Sequence, residues 1–361
     1  MRQHTNAFDL LRLLGAGLVL WSHQYALLGL PETTVDPFRT TLGGLGVAIF
    51  FIISGYLNTL SAVRHGAIAA FLFSRAFRIY PALIICVGFT VLLGIFVAPD
   101  IKTYFDIKLL SFIGKDITLF TGIKAGVSHP VFAGNVLPNA LNGSLWTLPY
   151  EVKLYVALAA SVAVLRYNPV VSLVVAGCAL LAMGMTTLDR LWLQLPALFI
   201  VGCFVAAIRR VANLAVAIVV LAGLAGFFAT IGHALFANYL LLGAAVVSFG
   251  SVNVPKWLRP PLDLSYAIYL YAFPIEQLGA HLTKNFWLAL LFSAAMTVLL
   301  AFLSVLFVEQ PAQTRQRDMR EWIRKTIIGG VRQKHLKGPD RDIARQRRGE
   351  IPGSTTLTTD P

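Results

Sequence analysis

The chain alternates long apolar stretches with short polar connections, and ten of these stretches are long or apolar enough to be predicted as membrane helices. A helix of about 20 predominantly apolar residues crosses the hydrocarbon core of a bilayer. The pattern therefore predicts an all-α, polytopic membrane protein with about ten transmembrane helices. The predicted segments are 8–28, 44–63, 80–98, 148–165, 170–187, 191–208, 214–231, 234–250, 264–280 and 286–308.

The composition agrees with a membrane protein and argues against a nucleic-acid-binding protein. Hydrophobic residues make up 57% of the chain and charged residues 13%, whereas about 25% of the residues in an average soluble protein are charged. The net charge is +13, but 12 of the 30 Lys and Arg residues lie between Arg315 and Arg348, so the charge does not indicate a nucleic-acid partner. Cys86, Cys178 and Cys203 lie in apolar stretches. We therefore expect buried thiols and neither disulfides nor a metal site.

The charges outside the apolar segments predict the orientation of the chain. An even number of membrane helices places both termini on one side, and the Lys and Arg residues of the short loops favour the cytoplasmic side. We expect residues 1–312 to form the membrane domain and residues 313–361 a basic, largely disordered cytoplasmic tail. The basic part, 315–332, is expected to lie against anionic lipid headgroups. The external region 99–147 either caps a site or is disordered.

The first apolar segment, FDLLRLLGAGLVLWSHQYALL, carries two unusual polar residues, Arg12 and His23. Eleven residues amount to three helical turns and about 20°, so both side chains share one face, roughly 16 Å apart along the axis. Charged and titratable residues inside a membrane helix are costly and usually face a cavity or a partner. The segment therefore predicts a helix with a cation near one end and an imidazole near the other.

A second pair of cations precedes the third segment. Arg75 and Arg78 are three residues apart, so they project from one face of a helix just ahead of Pro81. One interpretation is topological, because cytoplasmic cations reach towards lipid headgroups. The other is a phosphate site, since a guanidinium group binds phosphate oxygens in bidentate fashion. The spacing alone leaves both interpretations open.

Two acidic residues lie at the ends of predicted helices. Glu151 begins the fourth segment, where it either caps the helix or comes close to His23 and orients the imidazole. Glu309 ends the tenth segment, where it either pairs with Arg12 or Arg75 or stays unpaired at the headgroups.

Small residues and a proline predict local features of two further segments. The glycines at 43, 44, 46 and 55 are best explained by close helix packing. Ser54 in the same segment is expected to bond the carbonyl group of its own helix. Pro274 is expected to kink the ninth segment and to free a backbone carbonyl group.

Six motifs in order resemble the acyltransferase 3 family of integral-membrane acyltransferases. They are FDLLRLLGAGLVLWSHQ, GVAIFFIISGY, RAFRIYP, SLWTLPYE, LSYAIYLYAFP and VEQP, and they span about residues 8–311. Members of this family transfer acyl groups, commonly acetyl from acetyl-CoA, to sugars of envelope polysaccharides, lipids or secreted glycans. The resemblance implies a membrane O-acetyltransferase of the cell inner membrane that uses acyl-CoA and a glycan or lipid-linked glycan.

The resemblance also implies roles for single residues. It makes His23 the expected catalytic residue. Separately, the residue pattern makes Glu151 the expected partner that orients His23. The resemblance makes three arginines the expected residues for binding the acyl donor: Arg12, Arg75 and Arg78. Many members carry a Trp-His pair in the ninth segment, whereas this chain has Tyr271 and Ala272. That departure leaves His23 as the main candidate base.

Three other interpretations remain open from the sequence. The acyl group could pass stepwise, through an acyl-enzyme on Ser54 or on His23 itself. The chain could be a secondary transporter or lipid-carrier flippase, because transporters also place Arg, His and Glu inside membrane helices. It could also be a sensor or anchor that works through its basic tail. Against a transporter, no internal repeat is visible and the charges lie near helix ends rather than at the midplane.

Overall fold

A computed structural model describes residues 6–65, 67–119, 131–165, 168–186, 188 and 190–322. These residues form twelve α-helices and no β-strand. The helices are α1 (Phe8–Leu28), α2 (Leu42–His65), α3 (Ile68–Val97), α4 (Ile101–Tyr104), α5 (Ile107–Thr118), α6 (Leu148–Val164), α7 (Pro169–Gly184), α8 (Leu191–Val211), α9 (Leu214–Thr230), α10 (Ala234–Gly250), α11 (Ser265–Leu282) and α12 (Phe286–Ser304).

Ten of these helices coincide with the ten predicted apolar segments, so the prediction of an all-α fold is confirmed. Helix α1 has the predicted bounds, and it ends at Gly29, whose φ of 68° is the left-handed conformation that favours glycine. Helices α7, α9 and α12 begin at asparagines whose side chains accept hydrogen bonds from the first free backbone N–H groups: Asn168, Asn213 and Asn285.

Five helices are long and apolar enough to cross a membrane, and shorter apolar helices accompany them. The five are Leu42–His65, Ile68–Val97, Ser144–Val164, Trp192–Val211 and Phe286–Trp322. Helices α1 and α11 are comparably long but more polar, because they carry Arg12, His23 and Glu276. They pack side by side. Charged residues in a polytopic protein usually face the interior, and these two helices follow that rule.

Close packing explains the glycines of α2. A Cβ atom on Gly46 would lie 2.5 Å from the backbone oxygen of Gly15 in α1, and one on Gly55 would overlap the backbone of Phe199 in α8. Small residues therefore let α2 approach a neighbour on each side, as predicted. The contacts also set the relative heights of α1 and α2. Gly43 adjoins Ser22, and the Phe8 and Tyr56 rings stack with centroids 5.4 Å apart.

Residues 131–147, here called the descending segment, run along α11 without regular helical structure for most of their length. Asn135 donates hydrogen bonds to Gln277 at 2.7–2.8 Å, and Thr147 lies 2.6 Å from the Tyr269 hydroxyl group. Between these contacts, the Asn142 amide donates to the Leu270 carbonyl group at 3.0 Å. Eight residues of α11 separate Gln277 from Tyr269, which corresponds to roughly 12 Å of helix. The segment thus carries the chain deep into the bundle before α6 begins.

The Leu270 carbonyl group is free because of Pro274, which has no N–H to donate to it. The predicted freeing of a backbone carbonyl group is therefore confirmed, whereas the predicted kink stays a prediction. The sequence did not indicate that Asn142 and the Cys86 thiol would be the two groups that donate to this carbonyl. A buried carbonyl without a partner is costly in an apolar interior, so these contacts stabilise the break in α11.

The chain divides into two compact units, Met1–Pro311 and Ala312–Pro361. In the second unit, residues 312–322 are described and they are helical. The rest of the predicted basic, disordered tail lies outside the described residues, and so does part of the predicted external region, 120–130.

Candidate active site

One end of the bundle buries a histidine–carboxylate pair. His23 on α1 and Glu276 on α11 lie 3.0 Å apart, measured from Nδ1 to Oε2. Glu276 is fully buried, and its other oxygen has no hydrogen-bond partner. The Phe273 ring lies edge-on to the imidazole, with centroids 5.3 Å apart. Among the residues that the structure describes, the Glu276 carboxylate therefore has its one hydrogen-bonding contact with His23, which it holds in one orientation.

The other end of the bundle contains a network of arginines and carboxylates. Arg78 on α3 lies 2.7 Å from Asp263 and 3.1 Å from Glu309. Arg12 lies 2.9 Å from Asp9 and 3.8 Å from the same Asp263 oxygen. Burial favours the neutral form of Asp263, but Arg78 and Arg12 hold the pKa of its carboxyl group well below the usual range. This network therefore contains ionised, mutually compensating groups.

Two interpretations were open for Glu309, a pair with Arg12 or Arg75 and an unpaired position at the headgroups, and the structure shows neither. A π-helical turn, Val305–Glu309, follows α12 and directs Glu309 towards Arg78 instead. An extra residue in a helical turn changes the direction of the side chains that follow it, and such turns are often found at functional sites.

Arg75 differs from the other two arginines. Within the described part of the chain, no carboxylate lies within 4.0 Å of its guanidinium group. Its Nη2 donates to Ser74 at 3.3 Å, and its Nε has no partner. The guanidinium carbon also lies 5.7 Å from the centroid of the Phe71 ring. Arg75 is therefore a cation with free hydrogen-bonding capacity, next to arginines whose charges are already compensated.

Glu151 does not lie beside His23, so the predicted contact between them is wrong. Its Oε1 accepts hydrogen bonds from Ser54, at 3.2 Å, and from Tyr155. The Tyr155 ring lies edge-on to the Phe71 ring, with centroids 6.3 Å apart, and Phe71 is the ring next to the Arg75 guanidinium group, so Glu151 lies on the Arg75 side of the bundle. Glu151 is not beside His23 because the descending segment leads the chain deep into the bundle before α6 begins. Ser54 also accepts a hydrogen bond from Asn58 at 3.0 Å.

The structure thus separates the predicted site residues into two groups. His23 lies at one end with Glu276, whereas Glu151 lies on the side of Arg75, to which Tyr155 and Phe71 connect it. The sequence analysis assigned no role to Glu276 or to Asp263. Both carried a usable signal, since acidic residues within or next to an apolar helix rarely occur without a partner.

No group of three His, Cys, Asp or Glu side chains that could hold a metal ion occurs among the residues that the structure describes. The groups that the two ends present are an imidazole paired with a carboxylate and guanidinium groups, whose geometry suits oxyanions.

The fold is all-α, with several helices long and apolar enough to cross a membrane, and the site places an imidazole–carboxylate pair at one end and a network of arginines and carboxylates at the other. Residues 5–308 match the family model described as an acyltransferase domain, so the chain belongs to the acyltransferase 3 family. The prediction of an acyltransferase of the O-acetyltransferase type is confirmed. The chain is 32% identical over 329 residues to the O-acetyl transferase of Shigella phage Sf6, covering 86% of this chain and 97% of that protein.

The chain also resembles nodulation protein 10 of Rhizobium leguminosarum bv. viciae. The two are 31% identical over 354 residues, which cover 86% of this chain and 93% of that protein. No solved structure matches the chain.

Proposed function

We propose that this protein transfers an acyl group, with acetyl as the expected one, from acyl-CoA to a hydroxyl group of a glycan or lipid-linked glycan. The reaction takes place at or across the cell inner membrane. The family and the O-acetyl transferase relative support this reaction class. The observation that carries the mechanism is the buried His23–Glu276 pair.

The pair is arranged for general-base catalysis. When the Nδ1–H group of His23 donates to Glu276, Nε2 is the nitrogen that accepts a proton. In the proposed step, Nε2 takes the proton of the acceptor hydroxyl group while the hydroxyl oxygen attacks the thioester carbonyl carbon. The carbon–sulfur bond then breaks, and the CoA thiolate takes the proton from the imidazolium. Glu276 stabilises that imidazolium and does not itself need to accept the proton.

The arginine end fits the donor. Acyl-CoA carries several phosphate charges, and Arg75 is the arginine with hydrogen-bonding groups still free. Arg78 and Arg12 hold this part of the bundle together through Asp263. The long pantetheine arm would let the thioester lie towards His23 while the phosphates stay with the arginines, roughly 16 Å away along α1.

The position of Ser54 favours direct transfer over an acyl-enzyme at that residue. Ser54 precedes Tyr56, which stacks on Phe8 at the start of α1, whereas Gly43 adjoins Ser22. Ser54 therefore lies near the level of Arg12, and an acyl group on it would be more than two helical turns from His23.

The test uses the full chain in nanodiscs with radiolabelled acetyl-CoA and the glycan fraction of the host as acceptor. His23→Ala should lower acetyl transfer by about 100-fold or more, because a general base typically contributes 10²–10⁴-fold. His281→Ala is the matched control, since this exposed histidine in the last turn of α11 has only a ring contact with Phe132.

Undiminished transfer by His23→Ala would contradict the assigned base. Transport of the glycan without any turnover of acetyl-CoA would favour the transporter interpretation instead.

A further inference from the structure

Glu151 is a half-buried carboxylate in the donor-binding end that the proposed reaction does not use. Ser54 and Tyr155 both donate to its Oε1, and no described residue donates to its Oε2. Glu151 is the last residue of the motif SLWTLPYE, and its side chain lies towards the arginine end rather than beside His23. Its negative charge next to the expected site of an anionic donor needs a physical explanation.

Contacts place this charge near Arg75: Tyr155, which donates to Glu151, has its ring centroid 6.3 Å from that of Phe71, and the Arg75 guanidinium carbon lies 5.7 Å from the same Phe71 centroid. Glu151 and Arg75 do not form an ion pair. Ser54 and Tyr155 hold the carboxylate, and the Arg75 guanidinium group keeps a free Nε. The positive charge of Arg75 is therefore offset from a distance, whereas those of Arg12 and Arg78 are offset by contact. An anion that binds Arg75 meets both the attraction of the guanidinium and the repulsion of Glu151.

We propose that Glu151 is a positioning residue that limits how tightly Arg75 holds the phosphates of the acyl donor. This inference rests on the proposed acyl-CoA donor. In the empty site, Glu151 compensates Arg75 and keeps it ordered. In the occupied site, its charge repels the donor phosphates, and this repulsion allows the product CoA to leave. Ser54 and Tyr155 take part by keeping the carboxylate from closing onto Arg75.

The test measures CoA binding to the purified full chain by calorimetry at low salt. Glu151→Gln keeps the size of the side chain and removes its charge, so the Kd of CoA should fall about fivefold, in line with the removal of one partly exposed charge interaction. The KM for acetyl-CoA should fall in parallel, and kcat should fall because CoA leaves more slowly. Uncharged pantetheine should bind equally to both proteins, and high salt should reduce the difference.

Glu32→Gln is the matched control. This carboxylate bonds Ser22 and the backbone of Leu42 at the far end of α1, so its loss should leave the Kd of CoA unchanged. Tyr155→Phe is a second variant, for which the opposite change in the Kd of CoA is expected. Without the hydroxyl group, Glu151 can move onto Arg75, and the Kd of CoA should rise.

The outcomes separate this inference from the proposed function. A wild-type chain that binds no CoA would contradict the proposed donor. Wild-type binding that Glu151→Gln leaves unchanged or weakens, in a protein that still unfolds cooperatively, would contradict this inference alone. If Glu151→Gln does not fold, an unchanged or lower Kd in Tyr155→Phe would contradict it as well.

Discussion

The two ends of the bundle hold their charges in different ways. At the arginine end, Asp263 binds both Arg78 and Arg12, and the network joins α1, α3 and the residues around α11 and α12. At the other end, Glu276 has one partner, His23. A shared network tolerates the loss of one contact better than an isolated pair does, and it stabilises several helices at once. Under the proposed function, the arginine end combines structure with donor binding, whereas the His23 end serves one chemical task.

The test of this contrast with the largest expected effect removes the charge of Glu276. Glu276→Gln should lower kcat by about 10²–10⁴-fold, because an amide neither fixes the imidazole tautomer nor stabilises the imidazolium. The KM for acetyl-CoA should stay close to the wild-type value. The acidic limb of the pH–rate profile should move to lower pH, since the imidazolium loses its counter-charge. Stopped-flow release of free CoA across pH 5–9 measures both quantities.

Glu276→Asp supplies the conservative comparison for that experiment. It keeps the charge and shortens the side chain, so it should recover part of the rate and restore the position of the acidic limb. A Glu276→Gln protein with a normal rate and pH profile would show that His23 does not depend on this carboxylate.

A second test of this contrast replaces two neighbouring arginines of the arginine end, one at a time. Arg78→Gln leaves the buried Glu309 without its ion-pair partner, which should cost about 3 kcal/mol of folding free energy, the lower end of the range for a buried pair. Asp263 is partly exposed and keeps its longer contact with Arg12. Arg75→Gln removes a cation that has no ion-pair partner among the described carboxylates, so it should cost little stability. Thermal unfolding in detergent and the KM for acetyl-CoA distinguish the two variants.

We therefore expect Arg78→Gln to lower the Tm and Arg75→Gln to raise the KM of the donor at nearly constant Tm. Equal effects of both substitutions on Tm would mean that the two arginines share one structural role, and the contrast between them would be lost.

Local sequence patterns were sufficient to predict much of this fold. Apolar length predicted α1 over 8–28, and Pro274 predicted a freed carbonyl group. The pairing of His23 with Glu276 could not be predicted in the same way, because the two residues are 253 positions apart and meet only when α1 packs on α11. Helical spacing shows which residues share a face, but not which neighbouring helix that face meets.

The location of Glu151 was missed for a related reason. Its height in the bundle depends on the path of the descending segment, which has no periodic pattern and is held by single polar contacts such as Asn135 with Gln277. Pattern analysis is least informative for such segments, because irregular backbone inside a membrane protein is specified by its partners.

A third buried carboxylate differs from those of both ends. Asp116 on α5 is almost fully buried, and neither of its oxygens has a hydrogen-bond partner in the part of the chain that the structure describes; burial raises its pKa to about 7. The unfolded chain ionises this group near pH 4. Stability is therefore lost as pH rises from about 4 to 7, and the loss stays constant above that range. Asp116→Asn should raise the Tm at pH 8 and change it much less at pH 4.5.

Asp100→Asn is the control for Asp116. This exposed aspartate caps α4, and asparagine caps a helix about as well, so its effect on Tm should be small and independent of pH. A pH-independent effect of Asp116→Asn would show that the pKa of Asp116 is the same in the folded and the unfolded chain.

The smallest expected effect tests whether the descending segment connects the two ends. Asn142→Ala removes the amide that donates to the Leu270 carbonyl group and should cost about 1–3 kcal/mol, because that buried carbonyl keeps only the Cys86 thiol. Asn168→Ala, at the exposed start of α7, should cost about 1 kcal/mol through loss of a helix cap. If the segment fixes the position of α11, only Asn142→Ala should also lower kcat, since Glu276 is carried by that helix. Both variants are assayed at the same interval below their own Tm. Equal kcat values would then show that the His23 end is positioned without the segment.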